Sequence, residues 1–157
     1  HFWYIGKSYY DSTLGDYPLG MDHIKEYARR SIFYFGQYLN FKHDYQNTGK
    51  AKGIDELAYF ALYAMGDMFK LCGNYEKALD CGMRAEEFAP SRNEHIVLQA
   101  ECYKDLSDFD SMKLQTDRLM DSDRKLPFPE FNFLLNMEHY NDSGKYCEQL
   151  HQIANQV

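Results

Sequence analysis

The chain has 157 residues, enough for one domain with a core of its own. Its 17 Lys and Arg against 24 Asp and Glu give a net charge of −7, and this acidic balance argues against a nucleic-acid partner, which normally requires a basic surface. No apolar run approaches the roughly 18 residues of a membrane-spanning helix, so we expect no membrane span. We also expect a cytoplasmic protein.

The first predicted elements are a helix over 1–13 and an unusually long helix over 21–41. The long helix carries its apolar residues on one face, and these are Ile24, Ala28, Ile32 and Phe35. A polar, glycine-containing stretch over 43–53 is predicted to be a mobile loop. The sequence opens with "HFWYIGKSYY", which has neither an initiator Met nor the plan of a signal peptide, and this indicates a fragment of a longer chain.

The next two predicted helices, 54–71 and 75–88, are joined by a short turn. Gly73 is suited to the left-handed conformation that ends a helix, and Asn74 is suited to cap the helix that follows. The first of these helices has the spacing of a buried face, formed by Leu62, Met65, Gly66 and Phe69. The small residues in this pair of helices indicate that the two helices approach each other closely.

The same pattern recurs after a shift of 34 residues. Leu62, Gly66, Phe69, Gly73, Tyr75 and Ala78 then correspond to Ile96, Ala100, Tyr103, Ser107, Phe109 and Met112. This predicts helices over 92–105 and 109–121, the first with a capping box of Ser91 and Glu94. A further shift of 37 residues predicts helices over 129–142 and 145–156. Towards the N-terminus, Phe2, Gly6 and Tyr9 align with Leu62, Gly66 and Phe69.

The chain therefore reads as four imperfect copies of one helix–turn–helix unit. A period of about 34 residues is that of the tetratricopeptide repeat. We predict an all-α fold, a TPR-like α-solenoid of about four antiparallel helix hairpins wound as a right-handed superhelix. The predicted single domain covers 1–157, with the hairpins at about 1–42, 54–88, 92–121 and 129–156.

Beyond the general repeat, the order of motifs resembles that of one protein family. The order "FWYIGKSYYDS", "DELAYFALYAMGDMFKLCGNYEKAL", "APSRNEHIVLQAECYKD" and "FNFLLNMEHYNDSGKY" is similar to the helical-repeat region that follows the catalytic domain in some bacterial and viral family 2 glycosyltransferases. The resemblance places Asp55 and Glu56 at an acidic pair, and Pro90, Arg92 and Glu94 at a Pro-x-Arg-x-Glu junction. The long second helix exceeds the usual spacing, and a tryptophan expected near the acidic pair is absent.

No catalytic centre is predicted within the segment, although the parent protein would be a glycosyltransferase if the resemblance holds. The α/β nucleotide-sugar domain of such enzymes has no counterpart here, and there is no P-loop, H-E-x-x-H or G-x-S-x-G motif. The "DSD" at 121–123 spells an Asp-x-Asp metal signature, but it follows a helix instead of a strand. Cys147 and His151 have a zinc-compatible spacing without a second pair of ligands. We therefore expect no metal and no cofactor in this segment.

Binding is the expected activity, because the first helices of stacked hairpins line a shared concave surface. The predicted groove residues are Trp3, Lys7, Tyr10, Tyr63, Asp67, Lys70, Glu101, Lys104 and Glu138. Carboxylates and aromatic rings together favour a basic or hydroxyl-rich ligand, either a positively charged peptide or a sugar stacked on the rings. The alternative is that these aromatic side chains are buried against the long second helix and the acids are ordinary solvated residues.

The predicted function is that of a non-catalytic binding or scaffold domain. As the accessory C-terminal domain of a family 2 glycosyltransferase, it would position an acceptor or mediate assembly with the upstream catalytic domain. The alternative is a stand-alone TPR adaptor that joins two proteins, and a third reading is a homodimer formed through the aromatic first hairpin. The four scattered cysteines are predicted to be free thiols in a reducing compartment.

Overall fold

The computed structural model describes residues 1–15, 21–46 and 55–120, and every regular element in these ranges is a helix. The helices are α1 Phe2–Gly15, α2 Met21–Gln46, α3 Glu56–Leu71, α4 Tyr75–Phe88, α5 Glu94–Asp105 and α6 Phe109–Leu119. The predicted all-α class is confirmed for this part of the chain. The predicted helices over 129–142 and 145–156 lie outside the described residues.

The long second helix is longer than the sequence pattern indicated. α2 continues to Gln46, so the first four residues of the stretch predicted as a loop, 43–46, are helical. No Gly or Pro occurs between Phe41, the last residue of the predicted helix, and Gln46, so no helix-breaking residue ends the helix at the predicted position. The remainder of the predicted loop, 47–53, lies outside the described residues.

The chain divides into two compact units, His1–Arg92 and Asn93–Val157. In the first unit, α1 packs against α2 and α3, α2 packs against α3, and α3 packs against α4. In the second unit, α5 packs against α6. Successive helices thus pack on one another within each unit, as the predicted helix pairs require, while the prediction that 1–157 forms a single domain stays a prediction.

A close approach between α1 and α2 explains one of the small residues. Gly6 is buried, and a Cβ atom at this position would lie 3.0 Å from the ring of Phe35 on α2. The backbone carbonyl of Gly6 also accepts a hydrogen bond of 3.0 Å from the Ser31 hydroxyl. Phe35 is fully buried in a core that includes Tyr10, Ala61, Ala64 and Met68. The missing side chain therefore makes room for a large ring from the neighbouring helix.

The turn between α3 and α4 and the turn between α5 and α6 have the same backbone geometry. Gly73 has φ +79° and Ser107, 34 positions later, has φ +59°. In each turn this residue donates to the carbonyl three residues earlier at 2.9 Å, and the next residue donates to the carbonyl five residues earlier at 2.9 Å. The two turns are therefore equivalent, although one is built on glycine and the other on serine.

The helices that follow the two turns begin in the same way. The side chain of Asn74 accepts a hydrogen bond from the amide three residues on at 3.2 Å, and the side chain of Asp108 does the same at 3.1 Å. Each cap satisfies one of the amides that a helix N-terminus leaves without an intrahelical partner. The predicted roles of Gly73 and Asn74 are confirmed.

The predicted capping box before α5 is wrong. The N-cap of α5 is Asn93, and its side chain makes no capping hydrogen bond. Ser91 lies two positions too early for the role, because the backbone first forms a turn in which the Arg92 amide donates to the Ala89 carbonyl at 3.2 Å. The helix consequently starts at Glu94, the residue that the prediction had placed inside its first turn.

Candidate partner-binding surface

Six of the nine predicted groove residues lie on α1 and α3, which pack together in the first unit. We call these six the α1–α3 surface, and they are Trp3, Lys7, Tyr10, Tyr63, Asp67 and Lys70. Of the other three, Glu101 and Lys104 are half-buried on α5 in the second unit, and Glu138 lies outside the described residues. The prediction that all nine line one groove therefore stays a prediction.

Trp3 is turned towards the protein and not away from it. Its indole nitrogen donates a hydrogen bond of 3.0 Å to the Leu57 carbonyl at the start of α3. Its ring packs edge-on against Phe35 with centroids 6.3 Å apart and against Tyr4 at 5.2 Å, and at a tilt against Phe60 at 5.5 Å. Three neighbouring rings and a backbone contact thus hold the indole in place, and they leave it only partly exposed.

Tyr10 is a core residue with a polar end. Its side chain is 6% exposed, and its ring packs edge-on against Phe60 with centroids 5.7 Å apart. The hydroxyl donates a hydrogen bond of 3.1 Å to the Asp67 carboxylate. Burial raises the pKa of Tyr10, and the negative charge of Asp67 and the neighbouring Tyr63 raise this pKa further. Tyr10 therefore joins α1 to α3 as a neutral donor.

Each carboxylate on this side of the two helices has a lysine partner. The Asp67 carboxylate lies 3.4 Å from the Lys70 ammonium, one turn along α3. On α1, Lys7 pairs with Asp11 one turn away, and its ammonium also lies 6.0 Å from the centroid of the Phe60 ring. Both are pairs of the kind that stabilise a helix locally. The charges on the α1–α3 surface are therefore compensated within each helix.

Sequence reasoning missed four residues that shape this surface. Phe60 fills the space between the two helices, Asp11 neutralises Lys7, and Tyr4 and Leu57 flank Trp3. Tyr4 is 74% exposed and Leu57 is 48% exposed. The i, i+4 spacing of Lys7 and Asp11 was a readable signal, whereas the position of Leu57 beside the indole depends on how α1 meets α3 and leaves no mark in the sequence.

The acidic pair and the Arg-containing junction singled out by the resemblance meet in the structure. Asp55 caps α3 by accepting from the Ala58 amide at 3.0 Å, and its carboxylate also pairs with Lys42 on α2. Glu56 accepts a hydrogen bond of 2.6 Å from Arg92, whose guanidinium lies 5.1 Å from the centroid of the Tyr59 ring. These contacts join the helices of the first unit at one end.

The described thiols lie mostly in the interior. Cys81 and Cys102 are buried and Cys72 is half-buried. Burial raises the pKa of Cys81 to about 11, so this thiol is protonated at neutral pH. Such a thiol is a poor nucleophile, and it packs as a small apolar side chain.

Within residues 1–15, 21–46 and 55–120, no three His, Cys, Asp or Glu side chains come together in an arrangement that could hold a metal ion. The Asp121–Asp123 signature and the Cys147–His151 pair lie outside these ranges. None of the described helices is both long enough and apolar enough to cross a bilayer.

Comparison with known proteins adds no relative. No model of a known protein family matches the chain, and no curated protein matches it either.

Proposed function

We propose that the chain is a non-catalytic helical-repeat domain of the tetratricopeptide type, which binds a partner on its first helices. The observation that carries this proposal is the pair of equivalent turns at Gly73 and Ser107, 34 positions apart. A period of about 34 residues with one helix pair per period is the pattern of this repeat class. Repeats of this class stack into a right-handed superhelix, and their function is to present a concave surface to a partner.

The burial pattern supports the same period. Many positions related by 34 residues are buried in both copies, whether the residues are alike or not. Such pairs include Leu62 and Ile96, Gly66 and Ala100, Met68 and Cys102, Ala78 and Met112, and Ala85 and Leu119. A shared interior face in both helices of the unit is expected when one packing scheme is used twice, because each copy must bury the same side.

The partner would bind on the α1–α3 surface. This surface combines aromatic residues, a half-buried carboxylate and two lysines on neighbouring first helices. We infer that this surface serves recognition, because its side chains are positioned on two packed helices by hydrogen bonds, ion pairs and ring contacts. Recognition by side chains on rigid helices requires little reordering when the partner arrives.

Within a longer protein, we propose that this domain serves an upstream family 2 glycosyltransferase domain by holding its acceptor. Support for this role comes from the sequence resemblance. A bound acceptor gains effective concentration at a neighbouring active site. Deleting residues 1–157 from such an enzyme should therefore raise the KM for the acceptor while leaving the KM for the nucleotide sugar nearly unchanged.

The coding sequence before His1 decides between this role and the alternative. An upstream domain of alternating strands and helices with an Asp-x-Asp after a strand supports the accessory role. A reading frame that starts within a few residues of His1 contradicts it and leaves the stand-alone adaptor.

The binding proposal has a direct test. The chain is titrated with four probes: a Lys/Ser-rich peptide pool, a Glu/Ser-rich pool, an uncharged Leu/Ser/Gly pool and a mixture of neutral oligosaccharides. We expect at least one probe to bind and to shift backbone amide resonances of α1 and α3. The exposed Asp80 and Arg84 on α4 serve as the control positions. Failure of all four probes, or shifts confined to α4, would contradict the proposal.

A further inference from the structure

The interior contacts of the α1–α3 surface restrict what it can recognise. A basic peptide needs a carboxylate that is open to a new cation. Asp67 already accepts from the Tyr10 hydroxyl at 3.1 Å and lies 3.4 Å from the Lys70 ammonium. Asp11 is paired with Lys7. A cationic partner would have to displace a tethered lysine at each site, and the tethered lysine has the advantage of being part of the same helix.

Two of the three aromatic residues predicted to stack on a sugar ring, Trp3 and Tyr10, are also badly placed for stacking. Stacking needs an open aromatic face at the surface. Tyr10 is buried, and the Trp3 ring is packed among Tyr4, Phe35 and Phe60. The indole nitrogen, which could donate to a sugar hydroxyl, donates instead to the Leu57 carbonyl. The polar and aromatic groups of the surface are thus largely committed to holding α1 on α3.

Two apolar side chains remain exposed at this end of the surface, and the neighbouring Glu56 carboxylate is already paired with Arg92. Tyr4 and Leu57 both lie beside the Trp3 indole, the first through a ring contact and the second through its backbone carbonyl. Their side chains are 74% and 48% exposed. We call Trp3, Tyr4 and Leu57 the apolar rim. It lies next to a pair of charges, Lys7 and Asp11, that neutralise each other.

We propose that the α1–α3 surface recognises an uncharged peptide segment, which inserts an aliphatic side chain at the apolar rim. The inference rests on the proposed binding function and names its partner class. Complementarity carries the argument: a surface whose charges are compensated gains little from a charged partner, and a charged partner would lose hydration on binding. An aliphatic side chain, in contrast, gains by covering exposed rim atoms.

Binding of the four probes at two salt concentrations tests the partner class. We expect the uncharged Leu/Ser/Gly pool to bind most tightly, with an affinity that changes less than about twofold between about 0.05 M and 0.5 M NaCl, because no long-range attraction is screened. Preference for the Lys/Ser-rich pool, the Glu/Ser-rich pool or the oligosaccharides would overturn this inference while leaving the binding function intact. Failure of all four probes would overturn the binding function itself.

Two exposed positions test the location. Tyr4→Ser with Leu57→Ser should weaken binding of the uncharged pool by about tenfold or more, the usual cost of losing a central contact. The matched control is Phe33→Ser with Phe41→Ser, which removes two aromatic residues that are 58% and 68% exposed on α2. This control should leave the affinity unchanged. Equal loss in both variants, or no loss in the rim variant, would overturn the location.

A gain of function tests the role of the lysines. Lys7→Met with Lys70→Met removes both compensating charges and leaves the Asp11 and Asp67 carboxylates without their lysine partners. The Lys/Ser-rich pool should then bind about fivefold to tenfold more tightly than it binds the unmodified chain, because each uncovered carboxylate can form a new ion pair. An unchanged affinity for this pool would show that charge compensation does not set the specificity, and it would overturn the inference.

Discussion

The two helix pairs of the first unit solve the same packing problem with different residues. Between α1 and α2, the contact is made by a large ring, Phe35, set against the bare backbone of Gly6. Between α3 and α4, the large Tyr59 and Leu62 of α3 share a buried cluster with the small Ala85 of α4. Close packing requires that the side chains of the two helices together fill the space between them. It does not require small side chains on both helices.

The largest expected effect comes from emptying the aromatic contact. Phe35 is fully buried, and Phe35→Ala should lower the free energy of unfolding by about 3–5 kcal/mol through lost burial and the cavity left behind. Urea unfolding followed by circular dichroism measures this loss. Phe33→Ala, two residues away and 58% exposed, should change stability by less than about 0.5 kcal/mol. Similar losses in both variants would refute the assigned packing.

A smaller loss of stability is expected from a substitution at Gly6, which faces Phe35 in the same contact. Gly6→Ala places a methyl group 3.0 Å from the Phe35 ring, and overpacking of this kind costs about 1–3 kcal/mol. Gly36→Ala on α2 is the control, since a Cβ there meets no atom within 4 Å. That control should raise stability by about 0.5–1 kcal/mol, because alanine is the better helix former. The comparison fails if both substitutions shift the unfolding midpoint in the same direction.

Tyr10→Phe tests the contact between α1 and α3. Losing the hydroxyl that donates to Asp67 at 3.1 Å should cost about 0.5–1.5 kcal/mol at neutral pH. The pKa of Tyr10 is raised in the folded state, so the unfolded chain loses this proton first as the pH rises. The contribution of Tyr10 is therefore complete below its unfolded pKa of about 10 and falls above it.

Unfolding measured between neutral and alkaline pH tests that direction. The unmodified chain should lose stability more steeply above about pH 10 than the Tyr10→Phe variant does. Subtracting the unfolding free energy of the variant from that of the unmodified chain removes the contribution of the other titrating groups and leaves that of Tyr10. Parallel curves would contradict a buried, neutral Tyr10.

Much of the repeat could be predicted from the sequence, because its signals are local. α4 has the predicted bounds, and Gly73 and Asn74 take their predicted roles, since glycine at a left-handed position and asparagine at an N-cap are strong short-range preferences. The left-handed conformation of Ser107 could not be predicted from its residue type. Only the 34-residue shift pointed to it, because serine has no preference for positive φ.

Less of the candidate site than of the fold could be predicted from the sequence. The spacing placed Trp3, Tyr10 and Asp67 on the first helices, but it could not show that Trp3 and Tyr10 turn towards α3. That orientation depends on the Leu57 carbonyl and on Phe60, which approach from another part of the chain. The same applies to Glu56 and Arg92, because nothing in the sequence showed that these two side chains contact each other.

An effect of similar size tests the central claim, the equivalence of the two turns. We would exchange residues 73–77, "GNYEK", with residues 107–111, "SDFDS", and measure urea unfolding of each single replacement. Placing serine at position 73 should cost about 1 kcal/mol, and placing glycine at position 107 should gain about as much, because only the left-handed residue changes its strain. Both chimeras should unfold cooperatively with unchanged helix content. Loss of helix or of cooperative unfolding in either chimera would contradict the equivalence of the two turns.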